Sequence, residues 1–145
     1  MKKYYIFSIN KEFYEVYKNN PQVLFKTLDN LYNLDLENAY YGLNIYNQLC
    51  NPINKKIIRN YLYDGNTNES KFIINNNTLL EINTSCLVLV TTSNIPNIIK
   101  NLKYYESPLF LCDFDNTKFF FITWKINNYL VKYYLGKENV KWEHS

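Results

Sequence analysis

The hydrophobic pattern of this chain changes period near residue 70, and that change limits the folds open to it. Before it, apolar residues recur at helical spacing: Val23, Leu24, Leu28, Leu31 and Tyr32 over 23–34, then Tyr40, Leu43 and Tyr46 or Leu49 over 36–49, then Ile57, Ile58, Tyr61 and Leu62 over 53–63. After it come short β-branched and aromatic runs, KFII at 71–74, LLEIN at 79–83, CLVLVTT at 86–92, LFLCDF at 109–114 and KFFFITW at 118–124, separated by turn residues. One strand precedes the helices, KYYIFSI at 3–9, followed by a short helix over 11–19 that Asn10 caps. A helix with Pro96 in its first turn interrupts the strands and runs to about Tyr104. Helices first and strands after predict an α+β two-layer sandwich, a mixed and mostly antiparallel sheet with helices packed on one face. Residues 64–70, DGNTNES, read as a loop.

The chain has 145 residues, the size of one domain, so 1–145 is expected to fold as a single unit, with 125–145 a C-terminal extension ambiguous between strand and helix. Hydrophobic residues make up 47% against 20% charged, enough apolar mass to build a core without disulfides or a metal. The excess of Asn and Lys follows A- and T-rich codons, and carries functional weight only where position adds something. Cys50, Cys86 and Cys112 form no CxxC pair and read as small buried hydrophobes rather than a disulfide framework or zinc site. The run after Met1-Lys2-Lys3 is too short for a signal-peptide core, and 119–131 is too short and too polar to span a membrane. A cytoplasmic location, without membrane attachment, is the expectation.

Net charge is +3 with 16 Lys and Arg spread along the chain, so no polybasic face for nucleic acid emerges. Lys55, Lys56 and Arg59 form the densest cluster and read as a solvated helix face; weak nucleic-acid binding is the alternative. The single His, His144, stands next to the last residue, which removes the usual general base. Three glycines leave no Gly-rich phosphate loop. Asp113 and Asp115 with Thr117, in LFLCDFDNT, resemble the D-x-D-x-T nucleophile motif of haloacid-dehalogenase-type magnesium-dependent phosphatases. That motif leads from a parallel strand into a helix, whereas here another strand follows, and the competing reading is a hairpin whose Asp and Asn side chains bond the turn. No catalytic residue, cofactor or metal ligand is assigned.

What remains is surface. Aromatic residues make up 18% of the chain, 15 of them Tyr, more than one core of this size hides, and Tyr suits protein interfaces because it offers large area at low rotamer entropy. Phe13 and Tyr17 lie four apart on the first helix with Val16 beside them, a face that is either core or partner-facing on pattern alone.

The Tyr4-Tyr5 opening, Lys11-Glu12-Phe13 with Tyr17, Asn51-Pro52-Ile53, and the Ser107-Pro108 step into F-L-x-x-D-F occur in collinear order over roughly 3–124. In this the chain resembles the sporulation inhibitor of replication (SirA) family. The resemblance implies a small cytoplasmic non-enzymatic inhibitor that binds the N-terminal domain of the replication initiator DnaA and blocks its assembly at the origin, as a monomer forming a stoichiometric heterocomplex. Carried over by position, it places Phe13 and Tyr17 on the partner side and leaves Tyr14 and Val16 toward the sheet. A further polar contact of the family falls at Ile45, which has no side-chain hydrogen bond to give, with Gln48 nearby as the substitute. Residues 20–70 match weakly. The other readings are a binding module for another protein partner and the phosphatase.

Overall fold

The first strand, β1 (Lys2–Ile9), organises the molecule because its side chains are needed on both sides of a sheet. Tyr4 and Ile6 are buried on one face, Phe7 and Ile9 on the other, as the two-residue period of a strand requires. In this computed structural model, which describes residues 1–62, 70–74, 77–92 and 98–123, β1 lies inside a seven-stranded sheet. The remaining strands are β2 (Cys50–Asn51), β3 (Lys71–Ile74), β4 (Thr78–Ile82), β5 (Leu87–Thr91), β6 (Leu109–Asp113) and β7 (Lys118–Ile122). Their order is β3-β4-β5-β1-β6-β7, and every pairing among the described residues is antiparallel.

Register fixes which side chains meet. Tyr4 pairs with Leu89 and Ile6 with Leu87 on the β5 side, while Ile6 pairs with Leu111 and Ser8 with Leu109 on the β6 side. Ser8 also pairs with Asn51 and Ile9 with Cys50, so β2 continues the β5 side at the end of β1. Ser8 itself is fully buried, and its Oγ is satisfied by Ser107 Oγ at 2.7 Å. Across β4 and β5, buried Thr78 and Thr91 pair in register with their hydroxyls 2.7 Å apart.

The helices are α1 (Lys11–Tyr17), α2 (Pro21–Tyr32), α3 (Ala39–Leu49), α4 (Lys55–Leu62) and α5 (Ile98–Leu102). The α+β class and the antiparallel sheet agree with the sequence pattern; the placement of the helices on one face does not. One core joins Tyr4, Ile6, Leu80, Leu87, Leu89, Leu109 and Leu111 to Ile58 of α4 and to Ile98, Ile99 and Leu102 of α5. A second core on the opposite face joins Phe7, Ile9, Val88, Phe110 and Cys112 to Leu24, Phe25 and Leu28 of α2 and Leu49 of α3. The physical reason lies in the central strands. Every residue of β6 is buried, and only helices on both faces can take a strand's whole side-chain set out of water.

Differences in the elements are local. The expected helix over 36–49 divides into a 3-10 turn, Leu36–Asn38, capped by Asp35, and then α3. Its inward stripe is buried Gly42 and Leu49 with half-buried Ile45 and Tyr46 between them, rather than Tyr40 and Leu43, which are exposed. In α2 the buried set is Leu24, Phe25 and Leu28, with Val23 turned outward. The Pro96 helix start, most of the 64–70 loop and the extension 125–145 lie outside the described residues. None of the helices described is long and apolar enough to cross a membrane.

Aromatic rings run through the second core from α2 to α1. Phe25 stacks on Phe119 at 4.7 Å, and Phe110 lies 6.0 Å from Phe119 and 4.6 Å from Phe121, which meets Tyr14 edge-on at 4.9 Å. Fully buried Phe110 is the hub of this series. Phe110→Ala is expected to cost about 3–5 kcal/mol, through lost transfer energy and the cavity left behind, measured as the shift in a urea-unfolding midpoint.

Candidate protein-interaction surface

Helix α1 is short and owes its position to its ends. The Asn10 side chain accepts a hydrogen bond from the Glu12 N–H at 2.9 Å, the cap the sequence predicts, and the Asn10 N–H donates to the Leu49 carbonyl at 2.8 Å. That second bond sets the first turn of α1 against the last residue of α3. The chain thereby brings the two elements carrying Phe13, Tyr17, Ile45 and Gln48 to one corner of the molecule.

Their exposures differ. Phe13 and Tyr17 are half-buried and stack on each other, with centroids 6.4 Å apart and planes 12° from parallel, at the margin of the second core. Ile45 is half-buried and packs against the same core, so part of its surface is committed internally. Gln48 is exposed. Tyr14 turns toward the sheet and meets Phe121, as the carry-over implies. Val16 does not, and is 63% exposed. Residues two apart on a helix point about 200° apart, so Tyr14 and Val16 face opposite ways, and Val16 joins Phe13 on the outer side. The Lys18–Glu15 ion pair beside them is solvent-exposed and adds little.

A second apolar surface escaped the sequence reading. Between α2, α3 and the sheet lies a groove of about 360 Å³, with Tyr5, Phe7, Leu31, Tyr32, Leu43 and Tyr46 among its walls. Gly42 lies close beneath Leu34 at the groove, where a Cβ would displace the end of the Leu34 side chain. The groove's polar groups are partnered. The Tyr46 hydroxyl donates to the Ser85 carbonyl, and the Tyr5 and Tyr32 hydroxyls lie 3.3 Å apart. Beyond the rim, Leu36 is 93% and Tyr40 78% exposed, with Tyr41 also outward. The signal was present: Gly42, Ile45, Tyr46 and Leu49 make a complete i, i+3, i+4, i+7 stripe, which forces Tyr40, Tyr41 and Leu43 to the outside.

The candidate chemistry resolves into structure. Asp113 is buried, and its two carboxylate oxygens accept from the Asn116 N–H at 3.1 Å and the Asn116 side-chain amide at 2.8 Å. Asp113 pairs in register with Lys118, so residues 114–117 form a four-residue turn that ends on Thr117 in the left-handed region, φ 55°. The D-x-D-x-T run is thus the bend of an antiparallel hairpin, not the strand-to-helix step of the phosphatase motif. Among the described residues no group of His, Cys, Asp and Glu could hold a metal ion. On α4, Lys56 is exposed while Lys55 and Arg59 are half-buried around buried Ile58.

No family model matches the chain, and no curated protein matches it. The likeness to the SirA family therefore rests on the residues quoted for it.

All three thiols are buried, and Cys86 is among the groove's lining residues. Burial first, then neighbouring Cys86, pushes the Cys50 thiol up to about 12 against the opposing hydrogen bond from Tyr46. Burial likewise raises Cys86 and Cys112, and raises the Tyr46 hydroxyl with help from Cys50 and Cys86. At pH 8 a thiol of pKa about 12 is thiolate in only about one molecule in ten thousand, so Cys50 in the folded chain should resist a thiol reagent that modifies it readily in urea. Above about pH 8.5 the unfolded chain loses these protons while the native chain retains them. Stability should therefore fall as pH rises from about 8.5 toward 12, seen as a declining urea midpoint.

Proposed function

We propose that this chain is a non-enzymatic protein-binding domain that inhibits replication initiation by occupying the N-terminal domain of DnaA. The partner comes from the resemblance to the SirA family. The observation that carries the binding role is the Phe13–Tyr17 stack, half-exposed on a helix that Tyr14 anchors to the sheet. Rings held this way lose little rotamer freedom on binding, the property of interface hot spots. Val16 adds exposed surface on the same helix, Gln48 is exposed on α3, and Ile45 packs at the margin of the second core.

The mechanism needs no chemistry on the partner. A domain seated on the initiator surface used for self-association or helicase recruitment blocks assembly by occupancy. An aromatic-centred contact of this kind should change little between low and moderate salt, unlike phosphate binding through Lys55, Lys56 and Arg59.

Titration calorimetry of the chain against the DnaA N-terminal domain of the same organism tests the reading. Binding is expected, and Phe13→Ala should weaken it at least about tenfold, the consequence of losing a hot spot of roughly 2 kcal/mol, with circular dichroism unchanged. A folded initiator domain that does not bind the wild-type chain contradicts the partner. A folded Phe13→Ala chain that binds normally contradicts the surface.

A further inference from the structure

The two helices over the first core assemble a charged face from runs that are distant in sequence. Helices α4 and α5 pack against each other, and the Asn54 N–H at the start of α4 donates to the Tyr105 hydroxyl, just beyond α5, at 2.8 Å. That bond sets the first turn of α4, with Lys55 and Lys56, beside the end of α5, with Lys103 and Tyr104. The described residues of this layer, 54–62 and 98–106, hold Lys55, Lys56, Arg59, Lys100 and Lys103 against Glu106, a net charge of +4. Counting Asp64 and Glu69, which follow α4 in sequence, still leaves +2. The layer over the second core, 10–49, holds three Lys against five Asp and Glu, a net charge of −2. The molecule is therefore electrostatically two-sided. No acidic residue stands in the first turn of α4 to offset the positive end of the helix dipole, so an anion brought to Lys55 and Lys56 relieves a local repulsion.

We propose that the α4–α5 face binds single-stranded nucleic acid, with phosphates over Lys55, Lys56, Lys100 and Lys103 and one base stacked on Tyr104. The apolar side chains select against other polyanions. Ile58, Ile98, Ile99 and Leu102 are buried, and Tyr104, 68% exposed, is the one large apolar side chain exposed among the described residues of this layer. A membrane surface would need a row of exposed apolar residues to insert, and an acidic protein would need a cluster of anchors at the centre of its interface. Cations around a single exposed ring are what a flexible strand requires, since its phosphates take the charges and any base can stack on the ring. The Lys103 ammonium lies 5.0 Å from the Tyr104 ring centroid and adds its charge at that point. Lys103 and Tyr104 also form one wall of a cleft of about 460 Å³ closed by Tyr14 and Lys18 of α1. Glu15 and Glu106 line the cleft too, so it admits a neutral base and turns phosphate back toward α4 and α5. This face covers the opposite side of the sheet from the core that Phe13 and Tyr17 border, and the proposal does not depend on the partner assigned to that corner.

The probe is a fluorescein-labelled oligothymidine of about fifteen nucleotides, titrated with the full chain and followed by anisotropy. Binding is expected at about 10–100 μM in about 20 mM salt, and log K should fall against log salt with a slope of about −2 to −3, the value for three to four phosphate contacts. Lys56→Gln with Lys100→Gln, both exposed and one on each helix, should weaken binding about fivefold and make the slope shallower by about 1.4. Tyr104→Ala should weaken it at least about fivefold with the slope unchanged, and Tyr104→Phe should retain it. Lys11→Gln with Lys26→Gln removes the same charge from the other layer and should leave binding within about twofold. Circular dichroism checks that each variant is folded. Absence of binding at low salt, an equal loss in the Lys11 and Lys26 pair, or full binding by folded Tyr104→Ala would each overturn the proposal. Equally tight binding of a duplex of the same length, or of polyglutamate, would assign the face to duplex or to an acidic protein and overturn it as well.

Discussion

The arrangement of the molecule depends on the double burial of β1. A strand with Tyr4 and Ile6 on one face and Phe7 and Ile9 on the other has no solvent side, so the chain must supply sheet neighbours at both edges and helices over both faces. The β5 and β6 pairings meet the first need, and β2 meets it at the end of the strand. The second is met by α4 and α5 on one side and by α2 and α3 on the other. Because β1 ends directly at Asn10, the same strand also delivers α1 to its place beside the end of α3.

Much of this was legible. The aromatic and β-branched run KYYIFSI and the runs near 71–74, 79–83, 86–92, 109–114 and 118–124 each became a strand, because β-branched and aromatic residues bounded by turn residues have few other uses. Asn10 was readable as a cap because its oxygen meets a free N–H two residues on. The two-faced architecture was present in LFLCD, an unbroken apolar run, but such a run marks burial without saying what covers it. The α3 face was misread for a related reason. With Tyr and Leu at so many positions, two stripes fit the helical period, and the one that packs on the second core, through Ile45, Tyr46 and Leu49, is the less conspicuous of the two.

The candidate surface shows the same division. Four-residue spacing put Phe13 and Tyr17 on one face, and geometry on a helix then excludes Val16 from the side that Tyr14 occupies. Their half-burial follows from chain separation, since their neighbours come from elements distant in sequence. The groove was hidden because its walls are shared among β1, α2 and α3, elements distant in sequence. The aspartates of the hairpin illustrate the converse: a short motif acquires meaning from its strand–turn–strand setting, where Asn116 takes both oxygens of Asp113.

The central claim is that a structural domain acts by presenting a rigid aromatic corner to another protein. It is tested most directly by mapping the footprint of the DnaA N-terminal domain on the isotope-labelled chain by amide NMR. The account predicts shifts and line broadening concentrated on Phe13, Val16, Tyr17 and Gln48, with the β4–β5 hairpin unmoved. A footprint that leaves α1 and the end of α3 unperturbed, or the absence of any shift at saturating initiator domain, would contradict it.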